Sequence, residues 1–553
     1  MKRLHFAMAL LMVVLICPAL AAAQNNLDQR LFEAARDGNL SAISQLIHQG
    51  ANVNGKVSFW EELGPWSRRF HNYTPLSGAA ENGRLEAIQL LLKRGADIEG
   101  SDGEGNTALV AAARAGQIES VKLLLKKGAK IENPGSYNTT ALLAAAEEGN
   151  TEMVRVLLEK GANIEFQGSP RGYRPLHAAA SEGHLATIDI LLQKGAKRDV
   201  ENRAGESAIM VAAESGKIEA LQLLREKGAD PMARGRNGVT ALILASAAGR
   251  ADVVRLLLQL GANANDTQQN GKTSLISAAD GGHTEAARLL IERGAKIETP
   301  TQDGSSPLLW AAYRVRAGVV QLLLEEGARV DTRNKEGVTP LIAAACSNPW
   351  SNESGKDKEA TVKALLDHGA NVLAKANDGQ SATTCPNRAK PAEVAALLDA
   401  AVQRNKELEQ ADLKPPAERF AFYKSAFDKN PRNDFLRSKV IAAAVALPEA
   451  PAVPEAARQL FLLATDQIKQ ASTPSALDSP IALLDKAVSI APWWGNAYYN
   501  LARALEMQGR YNEAIQQIKL YLETKPNEAD AKEASARIVV LETQKEIAEK
   551  SKQ

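Results

Sequence analysis

The residues of this 553-residue chain that could carry acid–base, nucleophilic or metal chemistry are few. Seven histidines and three cysteines are scattered along it, and none form the His-x-x-x-His or Cys-x-x-Cys spacing of common metal sites. The sequence also lacks a Gly-x-Ser-x-Gly nucleophile turn and a phosphate-binding Gly-x-x-x-x-Gly-Lys loop. We therefore predict no catalytic residues, no cofactor and no metal, and we predict that the chain is not an enzyme.

The scattered polar residues belong to an internal repeat, which is plainest in Thr107 to Gly128, TALVAAARAGQIESVKLLLKKG. Its opening position recurs at steps of 33 residues, with a single step of 34, at Thr74, Thr107, Thr140, Arg174, Ser207, Thr240, Thr273, Ser306 and Thr339. The closing Gly-Ala recurs in phase at Gly95, Gly128, Gly161, Gly195, Gly228, Gly261, Gly294 and Gly327. A fixed period in this range predicts a solenoid.

Each repeat predicts two short helices. Apolar residues at helical spacing define the faces that pack together, over Leu109 to Ala113 and over Val121 to Leu125. Thr107 is placed to cap the first helix through its hydroxyl group. Gly116 breaks the chain between the helices, and Gly128 supplies the left-handed residue that ends the second one.

The stretch Arg174 to Ala196, RPLHAAASEGHLATIDILLQKGA, resembles the ankyrin repeat, and the resemblance covers Leu27 to Asp399. It implies an all-α ankyrin solenoid at residues 27–401, with ten helix pairs joined by hairpin loops and a degenerate last unit. Four histidines occupy positions of the repeat pattern, which favours structural roles for them: His177, His184, His283 and His368.

The stretch Ala497 to Asn527, AYYNLARALEMQGRYNEAIQQIKLYLETKPN, resembles a tetratricopeptide repeat, and Pro492 marks the end of a weaker copy. We predict a linker at residues 402–416 and a tetratricopeptide-like helical domain at residues 417–553. The resemblance implies that four residues of this domain face a groove: Asn496, Tyr499, Arg503 and Glu506.

The first 23 residues have the pattern of a secretory signal peptide, with Lys2 and Arg3, an apolar run from Phe6 to Cys17, and three alanines before Gln24. The run is too short to span a membrane. Its removal leaves 64 basic residues against 65 acidic residues, a net charge of −1, which does not favour nucleic acid as a partner. We predict export to the periplasm, with secretion as the alternative, and no stable membrane insertion of the mature chain.

The mature chain would keep Cys346 and Cys385. An oxidising compartment would permit a disulfide between neighbouring helices, and two separately buried thiols are the alternative.

Departures from the repeat mark candidate binding surfaces. The ankyrin resemblance places the two residues after each Ala-Ala pair in a concave groove, where Glu147, Glu148, Glu182 and Glu214 form an acidic stretch. This stretch is either a solvated face or a surface that attracts a basic partner. Trp310, Tyr313 and Arg314 combine the side chains richest in interface binding energy, although Trp310 could instead fill a gap between repeats.

Two insertions add further aromatic residues. Trp60 and Trp66 lie in an insertion at Gly55 to Asn72, which either covers the end of the stack or forms a binding finger. Trp350 lies in a second insertion, Ser347 to Lys358, which we expect to be a surface loop.

Together these features predict an exported, non-enzymatic scaffold that binds a protein partner in the ankyrin groove, with a second contact through the tetratricopeptide-like region. Two alternatives remain: a secreted effector that recognises a host or competitor protein, and an enzyme with a hidden site in residues 417–495.

Overall fold

The computed structural model describes residues 26–64, 67–102, 105–135, 138–168, 171–347, 355–385, 392–431 and 433–551. The chain divides into two compact units, one ending at Leu244 and one beginning at Ala245. The predicted signal peptide lies outside the described residues.

The first unit is built from helix pairs, with one strand pair inserted after the first of them. Its helices are α1 (26–37), α2 (Leu40–His48), α3 (Pro75–Glu81), α4 (Leu85–Lys93), α5 (Ala108–Arg114), α6 (Ile118–Lys126), α7 (Ala141–Glu147), α8 (Thr151–Glu159), α9 (Pro175–Glu182), α10 (Leu185–Gln193), α11 (Ala208–Ser215) and α12 (Ile218–Glu226). Its strands are β1 (Val57–Gly64) and β2 (Ser67–Tyr73).

The unit boundary falls within α13 (Ala241–Ala247), and the second unit continues with further helices. The repeat pairs extend through α14 (Ala251–Gln259), α15 (Ser274–Gly281), α16 (Thr284–Glu292), α17 (Pro307–Tyr313), α18 (Ala317–Glu325), α19 (Pro340–Cys346) and α20 (Gly355–Asp367). The C-terminal helices are α21 (Ala392–Asp412), α22 (Pro416–Lys429), α23 (Asp434–Val445), α24 (Glu455–Gln470), α25 (Asp478–Ile490), α26 (Gly495–Met507), α27 (Tyr511–Glu523) and α28 (Glu528–Ser551).

The local signals of the repeat have the predicted structural roles. The Thr107 hydroxyl accepts a hydrogen bond from the Val110 amide at 3.3 Å and caps α5. Gly116 and Gly128 both have positive φ, 71° and 98°, at the ends of the two helices. The predicted helix pair, with its cap and its glycine ends, is therefore confirmed.

Within each unit the repeats stack to bury a continuous apolar core. First helices pack on first helices, as α5 does between α3 and α7, and second helices pack on second helices, as α16 does between α14 and α18. Alanines of the first helices and leucines of the second helices, such as Ala112 and Leu124, are fully buried. The all-α solenoid predicted from the period is confirmed.

A hydrogen-bond ladder that sequence reasoning missed links successive repeats. After six of the eight closing Gly-Ala pairs, a carboxylate or amide side chain accepts a hydrogen bond from a backbone amide about one repeat later, which fixes the spacing of the loops. In the first unit the pairs are Glu99 with Lys130, Glu132 with Asn163 and Glu165 with Lys197, each at 2.7 Å. In the second unit they are Asn265 with Lys296 at 2.8 Å, Glu298 with Arg329 at 2.8 Å and Asp331 with Asn371 at 3.0 Å.

The first insertion is an antiparallel strand pair, which the sequence analysis did not predict. In its register Trp60 pairs with Phe70, and Glu61 pairs with Arg69. The strand pair β1–β2 thus lies between the first and second helix pairs of an otherwise helical array.

The C-terminal helices enclose a core built from the positions that resemble the tetratricopeptide pattern. Tyr498, Leu501, Ala502, Leu505, Ala514, Ile518 and Tyr521 are all buried in one cluster. Helices α26 and α27 form a hairpin, and α28 packs on α27.

The predicted linker at residues 402–416 is helical for most of its length. Helix α21 continues from the degenerate last repeat unit to Asp412, so that only residues 413–415 separate it from α22. Leu408 and Ala411 of this helix are buried, which explains why the segment folds despite its charged composition. The boundaries of the predicted domains stay predictions.

Candidate functional site

Helix α17 presents the aromatic residues singled out from the sequence. Ser306 caps this helix by accepting from the Leu309 amide, and Pro307 occupies its first turn. The rings of Trp310 and Tyr313 meet edge to face with centroids 6.4 Å apart. Tyr313 is 52% exposed although it is a large aromatic residue. We call Trp310, Tyr313 and Arg314 the aromatic patch.

A charged network surrounds the aromatic patch. The Asp280 carboxylate bonds Lys272 Nζ at 2.8 Å and Arg314 Nε at 2.6 Å. The same two cations approach the rings, with Lys272 Nζ 5.5 Å from the Trp310 ring and the Arg314 guanidinium 5.9 Å from the Tyr313 ring. Each side chain of the patch therefore has an ordered neighbour.

The Asp280 carboxyl is held in its charged form. Burial alone would raise its pKa, but hydrogen bonds and charges from Lys272 and Arg314 outweigh burial and hold the pKa below its usual value of 3.8. Asp280 thus keeps both cations in place at neutral pH.

The Trp310 indole N–H is buried and has no hydrogen-bond acceptor among the described residues. A buried donor without an acceptor costs about 1–3 kcal/mol. Phenylalanine at this position would fill comparable space without that cost. Filling a gap between repeats with the Trp310 indole therefore costs more free energy than filling it with a phenyl ring would.

The acidic stretch is partly neutralised by arginines. Arg114 lies 4.0 Å from both the Glu147 and the Glu148 carboxylates. Arg171 bonds the Glu214 carboxylate at 2.6 Å. Counting Glu182, four carboxylates face two guanidinium groups, which leaves these six residues with a net charge of −2.

The Glu147 carboxyl differs from Asp280 in its electrostatic environment. Burial raises its pKa above 4.5, and the charges of Glu148 and Glu182 add to the rise while Arg114 opposes it. In the other pair, the hydrogen bond to Glu214 raises the pKa of Arg171. The first carboxylate is thus destabilised by its surroundings, whereas the pair of Arg171 with Glu214 is mutually stabilised.

The structure describes no side-chain positions for the other predicted aromatic residues. Trp60 lies in β1, where the structure describes the backbone alone. Trp66 and Trp350 lie outside the described residues. Their predicted roles in binding stay predictions.

The four groove residues predicted in the tetratricopeptide-like region lie on α26 but divide into two pairs. Tyr499 donates a hydrogen bond to Glu533 at 3.2 Å, and Glu506 accepts one from Arg537 at 3.2 Å, so both contact α28. Asn496 and Arg503 are exposed. The C-terminal helix thus engages two of the four positions.

The histidines of the repeat pattern contact backbone carbonyl groups. His184 and His283 each reach back to the end of the preceding repeat's first helix, where the Glu147 and Ala247 oxygens lie 2.9 and 3.0 Å from the ring nitrogens. His177 Nε2 lies 3.0 Å from the Glu206 oxygen, and burial lowers the pKa of His177 to about 4. His368 Nδ1 lies 2.8 Å from the Ala364 oxygen. These contacts are structural.

The two predicted cysteines form a disulfide in the structure. Cys346 ends α19, and its Cα lies 5.5 Å from that of Cys385. The bond closes a loop that contains α20. Within the described residues, no group of three or more His, Cys, Asp or Glu side chains is arranged to hold a metal ion.

Sequence reasoning missed the charged partners of the predicted sites. Lys272 and Arg171 lie in the loops between helix pairs, outside the positions that the repeat places in the groove. A signal existed for Lys272, since the other repeats carry no basic residue directly before the opening position. Arg171 has no comparable signal, because its partner Glu214 lies 43 residues away.

A model of the ankyrin repeats family matches residues 31–135, 76–168, 129–204, 190–268, 209–301 and 297–376. These matches run from residue 31 to residue 376, which is 346 of the 553 residues. The chain therefore belongs to the ankyrin repeat family. A tetratricopeptide repeat model matches residues 461–538. Both families are typically non-enzymatic interaction modules, and together they indicate a protein–protein interaction scaffold.

No curated protein matches the chain. Among solved structures, the crystal structure of the human ASB11 ankyrin repeat domain matches at 29% identity, covering 39% of this chain and 90% of that one, with a TM-score of 0.33. In the part of the chain that the structure describes, helices that combine the length and the apolar composition needed to cross a membrane are lacking.

Proposed function

We propose that the protein is an exported scaffold that binds a protein partner over the first helices of its ankyrin repeats, with the aromatic patch as the anchor. The observation that carries this proposal is the Trp310 indole, which is partly buried, has no acceptor for its N–H among the residues that the structure describes, and adjoins the exposed Tyr313 and Arg314. Tryptophan, tyrosine and arginine are the residues most enriched among binding hot spots.

The charged network supports this assignment because it orders the patch in advance. Arg314 is fixed between Asp280 and the Tyr313 ring, and Lys272 is fixed between Asp280 and the Trp310 ring. Side chains that are already ordered lose less conformational entropy when a partner binds. The acidic stretch is a weaker candidate, since Arg114 and Arg171 offset half of its charge.

The proposal is tested in two steps with the full chain. A photo-crosslinking residue in place of Tyr313 should capture the partner, whereas the same residue in place of Lys363, which is exposed on α20, should not. The affinity of the purified partner is then measured for wild type, Trp310→Ala and Trp310→Phe. We expect Trp310→Ala to weaken binding by about 2 kcal/mol, or about 30-fold.

Two outcomes would reject this site. The first is equal capture from the Tyr313 and Lys363 positions. The second is a correctly folded Trp310→Ala protein that binds the same partner as tightly as wild type does.

Export is part of the proposal. It is supported by the signal-peptide pattern of residues 1–23 and by the disulfide of Cys346 and Cys385, since disulfides persist in oxidising compartments. The test is mass spectrometry of the mature N-terminus together with cell fractionation. Retention in the periplasm supports the scaffold, whereas release into the medium supports an effector that acts on another cell.

A second contact through α26 is the last part of the proposal. Asn496 and Arg503 remain exposed there, while Tyr499 and Glu506 are engaged by α28. We therefore expect Arg503→Ala to weaken a second partner more than Glu506→Ala does. The reverse order, measured by calorimetry, would mean that the contacts between α26 and α28 matter more than the exposed positions.

A further inference from the structure

Helix α21 belongs to two hydrophobic cores at once. Its first half contributes buried Val394, Leu398 and Ala401 at the end of the repeat array. Its second half contributes Leu408 and Ala411 to a cluster of α22 and α23 that also contains Tyr423, Phe427, Leu436, Val440 and Ala443. The spacing of these residues keeps one apolar face along the whole helix. A continuous helix anchored at both ends is a stiff connection.

Polar contacts lock the second half of α21 in place. The Tyr423 hydroxyl of α22 donates to the Asp412 carboxylate and lies 3.2 Å from the Leu408 carbonyl oxygen. Lys439 of α23 bonds the same Asp412 carboxylate at 2.7 Å. The end of α21 is therefore held by both of the helices that follow it.

Two further contacts join the last repeats to the C-terminal helices directly. The Asn430 side chain donates to the Asp367 carbonyl at the end of α20 at 3.0 Å. The Gln516 side chain of α27 lies 3.5 Å from the Gly327 carbonyl oxygen after α18. These contacts lie outside α21 and help to set the orientation of the two parts that the helix joins.

The closing glycines of the repeats show the same contact between the last repeats and the C-terminal helices. A Cβ placed on Gly327 would lie 2.4 Å from Gln516 Nε2, and one placed on Gly369 would lie 3.0 Å from Asn433 Oδ1. At the equivalent Gly95, Gly128 and Gly161, no described atom lies within 4 Å of such a Cβ. The repeats that open at Ser306 and Thr339 thus differ from those three earlier repeats, because side chains of the C-terminal region cover their closing glycines.

We propose that the last two ankyrin repeats and helices α22–α28 move as one rigid body, with α21 as the shared element that joins them. The segment between the ankyrin repeats and the C-terminal helices then holds them at a fixed angle and is not a flexible linker. We call this connection the joint. Partners bound to the repeats and to the C-terminal helices would be held at one distance and orientation.

The joint also encloses a cleft of about 860 Å³, lined by residues of both parts that include Arg329, Asp331, Arg333, His368, Phe435 and Gln516. Its charges are of both signs, and Arg333, His368 and Asp331 are bonded to backbone groups of this chain. The cleft therefore favours no ligand class over another.

Distances between spin labels in the full chain test the joint. Labels carried by non-natural residues at Lys363 of α20 and Lys519 of α27 span it, and labels at Lys486 and Lys519 give a reference pair among the C-terminal helices. These three lysines are exposed, and this labelling leaves the disulfide of Cys346 and Cys385 intact. We expect the spanning pair to give a distance distribution as narrow as that of the reference pair.

A Gly-Gly-Ser insertion after Asn405 should break α21 and broaden the spanning distribution by about twofold or more, because such a segment is a flexible coil. The same insertion after Gly379, in a surface turn before α21, is the matched control and should leave it narrow. Circular dichroism and the reference pair verify that each variant is folded. A broad spanning distribution in wild type, or no broadening in the Asn405 insertion, would overturn the proposal.

Discussion

The acidic stretch of the first unit and the aromatic patch of the second unit use the same position of the repeat in different ways. Counting seven residues after the opening position gives Glu147 and Glu214 in one unit, and Asp280 and Tyr313 in the other. In the acidic stretch, Arg114 and Glu147 are 4.0 Å apart with 38% and 53% of their side chains exposed, and Glu214, with 26% of its side chain exposed, bonds Arg171 at 2.6 Å. In the aromatic patch, a carboxylate with 20% of its side chain exposed holds two cations that also contact two rings.

The acidic stretch and the aromatic patch differ in whether their polar and aromatic groups are satisfied within the protein. Exposed ion pairs are worth 0–1 kcal/mol and are screened by salt, so the acidic stretch is a solvated surface with a modest net charge. The aromatic patch is ordered, but in the described part of the chain its buried Trp310 N–H has no acceptor, and the ring of Tyr313 is exposed. The same repeated backbone frame thus carries either ion pairs that salt screens or an ordered aromatic surface, depending on two or three side chains.

The largest expected effect concerns the stability of the aromatic patch. Trp310→Ala removes a partly buried aromatic side chain and should lower the free energy of unfolding by about 2–3 kcal/mol. Trp310→Phe keeps most of the packing and removes the unsatisfied donor, so it should leave stability unchanged or raise it by up to about 1 kcal/mol. Hydrogen exchange at the α17 amides measures both effects locally, which suits a repeat protein that unfolds in parts.

A Trp310→Phe protein as unstable as Trp310→Ala would contradict this reasoning. It would show that the indole fills a space that no smaller ring can fill, and that Trp310 serves packing before binding.

Removal of one carboxylate from each region should lower the free energy of unfolding by different amounts. Asp280→Asn leaves Lys272 and Arg314 without their shared partner and should cost about 1 kcal/mol. Glu214→Gln removes the ion pair with Arg171, whose side chain is 55% exposed, and should cost less, about 0.3 kcal/mol. Urea unfolding with hydrogen-exchange readout at α15 and α11 compares the two. Equal costs would mean that the network around Trp310 is no more cooperative than a surface pair.

The sequence predicted the frame of the fold because its signals are local and repeated. Alanine and leucine faces, Thr107 as a cap and Gly128 with positive φ each act within one repeat, and the period copies them. The strand pair β1–β2 was missed because it occurs once and has no helical period. The continuation of α21 was missed because the charges around Arg404 indicated a linker, although Leu398, Ala401 and Leu408 already lie on one helical face.

The candidate site was predictable only in part. Trp310, Tyr313 and Arg314 stand out because they break the pattern of the other repeats. Their partners do not stand out, since Asp280 bonds Arg314 across 34 residues and Lys272 reaches the Trp310 ring from a loop. Such contacts depend on how neighbouring repeats stack, which one repeat taken alone does not specify.

Acidification should affect the two regions in opposite directions. The pKa of Asp280 is lowered in the folded state, so its stabilisation is present above 3.8 and is lost as the pH falls through the folded value. The pKa of Glu147 is raised in the folded state, so stability falls as the pH rises above 4.5 and the unfolded state releases its proton first. The effect is smaller than those above, because a single half-buried carboxylate titrates in each region.

The measurement is the free energy of unfolding from pH 3 to pH 7 for wild type, Asp280→Asn and Glu147→Gln. Subtracting each variant from wild type isolates one carboxylate. A Glu147 difference that falls as the pH is lowered, as the Asp280 difference should, would show that Arg114 neutralises Glu147 more completely than burial destabilises it.

The smallest expected effect concerns the field of the acidic stretch. Arg114→Gln removes one of the two guanidinium groups and should tighten binding of a lysine heptapeptide by about twofold at low salt. The change should vanish near 0.5 M salt, where the screening length is about 4 Å. Arg155→Gln is the matched control, because Arg155 is equally exposed and pairs with Glu152 on a second helix, away from the first-helix surface.

Since binding by the aromatic patch rests on rings and a donor, partner capture from the Tyr313 position should be unaffected by Arg114→Gln and nearly independent of salt. If salt abolishes that capture while the heptapeptide binds both arginine variants alike, then the anchor is electrostatic and the contrast between the two regions is reversed.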